Sequence, residues 1–486
     1  METAHFGYWL KRLGDGLDRY LAFEHPNAVA VRASWDSLAD EALADGARDL
    51  EDVVGELVDV VIPGGSTIAS PTWWGFITTG TTTAPVLAAT AAMVAGPQRY
   101  SITAFNRLEE RSLEWLAELC GLEPGMKGVY SSGGSVANLV ALGAARQSAF
   151  ERIGIDVAAT GVDRPCAIYA SEEAHHTVQR SAAVLGLGRS AVRTVPTDGQ
   201  QRMLPEALEE LLVADQGRGV LPVAVVATAG TTNTGAIDPL RAVGEVAVRH
   251  QVWLHIDGAY GLPGRLDPRI SDRYDGLDLA DSAIVDPHKW LAAPVGVAAT
   301  FVRDRSLLVR AFTQEPAEYL EGSFVSDDEP SEVVVSMDSI GIPYADMGVE
   351  LSSPSRGVMV WALLREQGRE GVRRRIMTDN DFATAVYDFA NAHPRLQALT
   401  RPELSIACIR HVGDGSLDEG RLNELNQALL RRLIRETPFV PSATVVDGAF
   451  AIRPCFINVR TTRPMVDKFV ETLVTLGDEL AGDPKV

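Results

Sequence analysis

The sequence predicts an α/β fold: a large domain with a mostly parallel sheet flanked by helices, and a smaller C-terminal α+β domain. Three observations predict it. From about residue 110 to 305, helical patterns alternate with short apolar runs. Those runs are four to seven residues long, rich in Val, Ile and Ala, and bounded by Gly, Asp, Ser or Pro, as expected of strands buried on both faces. Beyond Arg356 the pattern changes to long amphipathic helices and then to alternating, half-exposed strands. The corresponding boundaries are an N-terminal helical segment over 1–80, a large domain over 81–350 and a small domain over 351–486.

Taken in order, METAHFGYWLKRLGDGLDRY mixes charge with apolar residues at helical spacing. It lacks the continuous apolar core and small-residue cleavage site of a secretory signal, so an amphipathic helix is expected. The aromatic, Thr-rich stretch SPTWWGFITTGTTT closes the first segment. APVLAATAAMVAG, the most apolar stretch, falls short of the roughly 20 residues that cross a membrane, and is expected inside the protein. LEERSLEWLAEL and VANLVALGAARQSAF have helical patterns, whereas CAIYA, VAVVATA, VWLHID, SAIVD and VAATFV read as strands. Residues 315–355 are rich in Gly, Ser, Asp and Pro and predict a long functional loop. Two amphipathic helices are then expected, VMVWALLREQGREGVRRRI and residues 381–391, before the strands LSIACIRHV and FAIRPCFINVR.

Composition narrows the function. The 486 residues are 46% hydrophobic and 22% charged, which suits a globular protein with more than one core. A net charge of −21 opposes association with nucleic acid or with anionic membrane surfaces. The four cysteines, Cys120, Cys166, Cys408 and Cys455, show no C-x-x-C spacing, so neither a zinc site nor a disulfide framework is indicated. A reducing cytoplasm is the expected location.

In an open α/β sheet, ligands bind at the carboxyl ends of the strands, so the polar residues after each apolar run carry the chemistry. After Val129 comes Ser131-Ser132-Gly133-Gly134-Ser135 and then a helix, either a phosphate cradle or an ordinary capping turn. SEEAHHT places His175 beyond the next run, as a loop residue or as a flat ring for stacking. Gly230-Thr231-Thr232-Asn233 offers hydroxyls to a ligand edge or to its own turn. Asp257, in LHIDGAYG, is a carboxylate at the end of a buried strand, to be matched by a cation, a ligand N–H or the next turn. Lys289, in SAIVDPHKW, follows a buried run; it snorkels, or the apolar flanks favour a nucleophilic amine. A phosphate anchor, a stacking ring, hydroxyls, a carboxylate and an amine together match pyridoxal 5′-phosphate.

These segments resemble the pyridoxal-phosphate-dependent group II amino acid decarboxylases, which include aromatic-L-amino-acid, glutamate and diaminobutyrate decarboxylases of the aspartate-aminotransferase fold (fold type I). The resemblance rests on GVYSSGGSVANLVAL, SEEAHHTVQRSA, ATAGTTNTGAIDPL, WLHIDGAYG and DSAIVDPHKWL in the family's order, and spans roughly residues 60–475. It implies that Lys289 carries the cofactor as an imine, Asp257 pairs with its pyridinium nitrogen, and Ala259 and His175 sandwich the ring. Thr232 would approach the ring edge, and Gly134, Ser135 and His288 would hold the phosphate, with Asp286 and Ser282 nearby. Thr79 falls where the family contacts the substrate carboxylate, and Tyr319 aligns, across a one-residue gap, with a mobile-loop tyrosine that returns a proton to the α-carbon. Trp74 and Phe76, beside Trp73, mark an aromatic pocket, and Arg356 remains of a basic segment that many members carry.

The resemblance implies α-decarboxylation of an L-amino acid with an aromatic or other hydrophobic side chain, by a homodimer that shares its active sites. Two outcomes on the same scaffold compete with it, both at home in secondary metabolism: oxidative deamination to an aldehyde coupled to decarboxylation, and β-elimination from an S-substituted cysteine. A cofactor-binding scaffold without turnover is a third.

Overall fold

The computed structural model describes residues 6–23, 42–43, 45–99, 103–313 and 342–482. In chain order its strands are β1 (Trp73–Trp74), β2 (Lys127–Ser131), β3 (Cys166–Ser171), β4 (Val192–Val195), β5 (Leu221–Thr228) and β6 (Trp253–Asp257). They continue with β7 (Ser282–Val285), β8 (Ala298–Val302), β9 (Leu396–Thr400), β10 (Cys408–His411), β11 (Val440–Val446) and β12 (Ala449–Arg453).

The large sheet has seven strands in the order β2-β8-β7-β6-β5-β3-β4. Strands β4, β3, β5, β6 and β7 run parallel, and β8 inserts antiparallel between β7 and β2. Residues of β5, β6 and β7 are buried almost throughout, which is why these strands read as continuous apolar runs and not as alternating ones. β4 is the exception: VRTV is a short edge strand, and Arg193 on it reaches back to Asp215 at 2.8 Å. An arginine in a four-residue segment hides a strand from any apolar-run criterion.

Register places the functional edge. Thr228 pairs with Asp257, and Asp257 with Ile284, so the carboxyl ends of β5, β6 and β7 lie level. Ser131, at the end of β2, pairs with Ala298 at the start of β8, which brings the 132–135 turn to the same edge. The helix Gly134–Glu151 then packs back across the sheet and is buried along most of its length.

The second sheet has five strands in the order β1-β11-β12-β10-β9. Its edge strand β1 comes from far upstream: Trp73 and Trp74 run parallel to Val440 and Pro441. Helices Glu419–Glu436 and Arg463–Ala481 pack together beside this sheet. One span, Gly357–Ala392, takes the place of the two helices expected after Arg356; it breaks at Gly368, whose φ of 62° is open to glycine. The Gly368 break therefore falls well before the junction near residue 380 that the sequence pattern suggests. No helix among the described residues is long and apolar enough to cross a membrane.

Candidate active site

The strand ends enclose a cavity of about 380 Å³ whose wall includes Gly134, Ser135, His175, Thr232, Asp257, Ala259, His288 and Lys289. All eight were expected from the sequence as cofactor contacts, and one cavity collects them. Each arrives by a local route. Gly134 opens an 18-residue helix, and a Cβ there would lie 2.6 Å from Asp286 Oδ2, so only glycine fits between the helix start and that carboxylate. Gly230 has φ of 104°, and its Cβ would lie 2.9 Å from the Gly261 Cα; this turn delivers Thr232 to the wall. Lys289 follows β7 through a tight turn in which its N–H donates to the Asp286 carbonyl.

Lys289 does not sit in the wholly apolar surroundings that the sequence suggests. Its Nζ lies 3.0 Å from Asp286 Oδ2. The His288 ring donates from Nδ1 to the Val297 carbonyl at 2.6 Å, leaving Nε2 facing Asp286 at 3.8 Å. Asp257 is 5% exposed; its carboxylate accepts from the Ala259 N–H at 3.2 Å and from Asn138 Nδ2 at 3.1 Å. The His175 Nδ1 meets the Thr177 hydroxyl at 2.8 Å, and burial holds the pKa of this ring below its usual value against the pull of Asp257.

The wall suits a flat, phosphate-bearing pyridine aldehyde. A helix start with two glycines and a serine provides anion-binding N–H groups. Ala259 contributes little bulk beside the cavity, and Asp257 presents a carboxylate at its base. Thr228 Oγ1 and Asp286 Oδ1 are buried without a hydrogen-bond partner among the described residues, and both belong to this wall.

A second cavity of about 640 Å³ shares His175, Thr232 and Lys289 with the first. Its outer wall is largely carbon: Trp73, Phe76 and Ile77 on one side, Leu430, Ile434, Val440 and Pro441 on the other. Phe76 has φ of 54° and is 65% exposed, a costly conformation for an aromatic residue on a wall of this kind. Arg453 also lines it, but its guanidinium is committed to the carbonyls of Asn233, Phe76 and Thr232 and ties the small sheet to both turns.

Four expected contacts lie elsewhere. Trp74 is fully buried in the small-domain core against Phe439, Phe456 and Phe469, at centroid distances of 5.0–5.4 Å, because adjacent strand residues point to opposite faces and Trp73 takes the cavity side. Trp74→Ala is therefore expected to lower stability by about 3–5 kcal/mol, read as a drop in denaturant midpoint. An unchanged midpoint with a raised KM would contradict this placement. Thr79 is buried, with its hydroxyl on the Gly80 carbonyl at 3.0 Å, and it is its neighbour Thr78 that lines the second cavity. Arg356 is buried in an ion pair with Glu350 at 2.9 Å and donates to the Gly296 carbonyl, so its charge is already matched. Ser282 opens β7, at the opposite end from the cavity edge, and bonds Trp253 and His255. Tyr319 lies outside the described residues.

Asn138, His255 and Arg453 were not anticipated. His255 precedes Asp257 by two residues on one strand and so shares its face, and Asn138 follows Gly134 by one helical turn; those spacings are the signals that were there to use. Burial pushes the His255 pKa down to about 4 from an ordinary value near 6.5. The folded state thus binds fewer protons than the unfolded chain between those values, and stability is present above pH 6.5 and lost as pH falls toward 4. Relative to His255→Gln, the protein is expected to lose about 2 kcal/mol between pH 7 and pH 5 in chemical denaturation. Parallel pH profiles for the two proteins would contradict it.

A family model described as the pyridoxal-dependent decarboxylase conserved domain matches residues 33–412. The chain is 30% identical over 376 residues to an aromatic-L-amino-acid decarboxylase of Bacillus atrophaeus, covering 77% of this chain and 74% of that protein. It is 35% identical over 392 residues to the cysteine sulfinic acid decarboxylase of Mus musculus, covering 77% and 75%. Among solved structures, that of Oryza sativa TDC with PLP and tryptamine superposes with a TM-score of 0.87 at 25% identity, covering 99% of both chains. With the site geometry and these matches in agreement, the chain belongs to the pyridoxal-dependent decarboxylase family, and its cofactor is pyridoxal phosphate.

Proposed function

We propose that this amino acid decarboxylase acts on an aromatic L-amino acid, whose side chain occupies the larger of the two cavities. The observation that carries this reading is the carbon-rich wall of that cavity, with Trp73 and Phe76 on one side and Leu430 and Val440 on the other, opening onto Lys289. An acidic side chain entering it would find Arg453 already bound to three carbonyls. The likeness to the rice structure holding tryptamine supports the same reading.

Bound, the cofactor supplies a carbonyl that captures amines and a pyridinium ring that draws electrons from the breaking bond. The chain's residues organise it. Lys289 is the covalent anchor, kept at the cavity by Asp286 before loading. Asp257 would hold the proton on the ring nitrogen, with Asn138 and Ala259 aiming its carboxylate. His175 and Ala259 would hold the ring, while Gly134, Ser135 and His288, on the same wall, would take the phosphate. Tyr319 would serve as the proton donor to the α-carbon.

A homodimer fits the surface around the site. Helix Thr83–Ala95, expected inside the protein, instead leaves Leu87, Met93 and Val94 exposed, and Val295 at the cavity rim is 82% exposed. Large apolar side chains exposed near a site suit cover by a partner. A reducing cytoplasm accords with the four free cysteines, all buried.

The test is product identification by mass spectrometry across single amino acids, with and without oxygen. Aromatic substrates are expected to yield amine and CO2 with kcat/KM at least about tenfold above cysteine sulfinate, and Tyr319→Phe to divert product toward aldehyde. A preference for the sulfinate would overturn the substrate assignment, and amine from Tyr319→Phe at the normal rate would remove that residue's role.

A further inference from the structure

We infer that Asn138 and His255 are positioning residues, and that the Asn138 amide is the branch point setting the hydrogen-bonding state of both Asp257 and His175. The inference rests on the roles given above to Asp257 and His175. Neither Asn138 nor His255 touches the substrate side; Asn138 reaches the cavity wall, and His255 lies wholly behind it.

The chain of bonds has one workable direction. An ionised carboxylate only accepts, so the amide nitrogen of Asn138 faces Asp257 Oδ2 at 3.1 Å. Its carbonyl oxygen then faces His255 Nε2 at 2.9 Å, which requires the proton on that nitrogen. A neutral ring with a proton on Nε2 accepts at Nδ1, so the Ser282 hydroxyl, 2.8 Å away, donates to it. The Ser282 oxygen in turn accepts the Trp253 indole N–H at 2.8 Å. Because the carboxylate only accepts, the Asn138 amide is fixed, and its oxygen in turn fixes the proton on His255 Nε2; turning either group over sets acceptor against acceptor.

The other N–H of the Asn138 amide runs toward the second catalytic neighbour. It meets Thr177 Oγ1 at 3.3 Å. Thr177 directs its own proton to His175 Nδ1 at 2.8 Å, and the Thr177 backbone N–H approaches the same nitrogen at 3.3 Å. With Nδ1 accepting, His175 carries its proton on Nε2. One side-chain amide thus serves the Asp257 carboxylate directly and the His175 imidazole through Thr177. A carboxylate at position 138 would offer an acceptor to Asp257 and to Thr177 alike, so shape alone does not satisfy the position.

The experiment uses the full chain, stripped of cofactor, with 15N-labelled histidine, and reads ring-nitrogen shifts, thermal midpoint and the dissociation constant for added pyridoxal phosphate. In the unaltered protein His175 is expected to report the Nε2-protonated form. Asn138→Asp should raise the dissociation constant at least about tenfold and displace the visible absorbance of the bound cofactor. Thr177→Val removes the hydroxyl arm and keeps the backbone N–H on Nδ1: it should shift the His175 Nδ1 resonance while leaving the ring protonated on Nε2 and the dissociation constant within about threefold. Asn138→Asp with an unaltered midpoint, normal cofactor affinity and unshifted His175 nitrogens would overturn the inference. Should Asn138→Asp fail to fold, Thr177→Val decides, unshifted His175 ring nitrogens overturning it. Loss of cofactor binding in the unaltered protein would instead strike at the roles of Asp257 and His175, while the tautomer readings of the stripped protein still stand or fall by themselves.

Discussion

Lys289→Ala is expected to lower amine formation by about four orders of magnitude and to abolish the borohydride-stable cofactor adduct, while leaving the fold intact. The size follows from losing both functions proposed for Lys289 at once, the covalent anchor and the amine that releases product. Removal of the side chain also leaves Asp286 without its 3.0 Å partner, so the cavity gains an uncompensated buried carboxylate beside the anion-binding turn. Cofactor affinity should therefore fall together with turnover. The readouts are amine by mass spectrometry and cofactor by absorbance after gel filtration. A variant retaining more than about a tenth of the normal rate would remove Lys289 from the mechanism.

Asp257→Asn is the second large effect, expected to lower kcat by about three orders of magnitude with a smaller loss of cofactor affinity. The substitution preserves volume at the end of β6 and leaves the Ala259 N–H an oxygen to bond. What disappears is the negative charge proposed to keep a proton on the pyridine nitrogen, together with the acceptor that pins the Asn138 amide. Destabilisation should be modest, because the strand itself is buried by its neighbours on both sides. A kcat within about tenfold of normal would show that ring protonation does not depend on this carboxylate.

Much of this site was legible because it is written in short segments. An apolar run followed at once by Gly-Gly-Ser, His, Thr, Asp or Lys marks a strand end, and parallel pairing brings strand ends together whatever lies between them. Residues governed by distant pairing were not legible. Trp73 and Trp74 are chemically identical neighbours; which faces the cavity depends on β1 joining β11, some 366 residues downstream, as the bond from Thr72 to Pro438 shows. Arg356 looked available because Glu350 and the Gly296 carbonyl approach it only through folding. β4 was hidden by Arg193, whose charge is matched by Asp215 on a neighbouring helix. Asn138 and His255 look like ordinary members of a buried helix and strand until the hydrogen-bond directions are followed.

The most direct measurement exploits how few lysines this chain carries: five in 486 residues, at positions 11, 127, 289, 468 and 485. Borohydride reduction of the cofactor-loaded protein, digestion and peptide mass mapping locate the covalent attachment. A pyridoxyl group is expected on Lys289 alone, in one copy per chain. Attachment at any other lysine, or retention of cofactor with no covalent attachment, would contradict it.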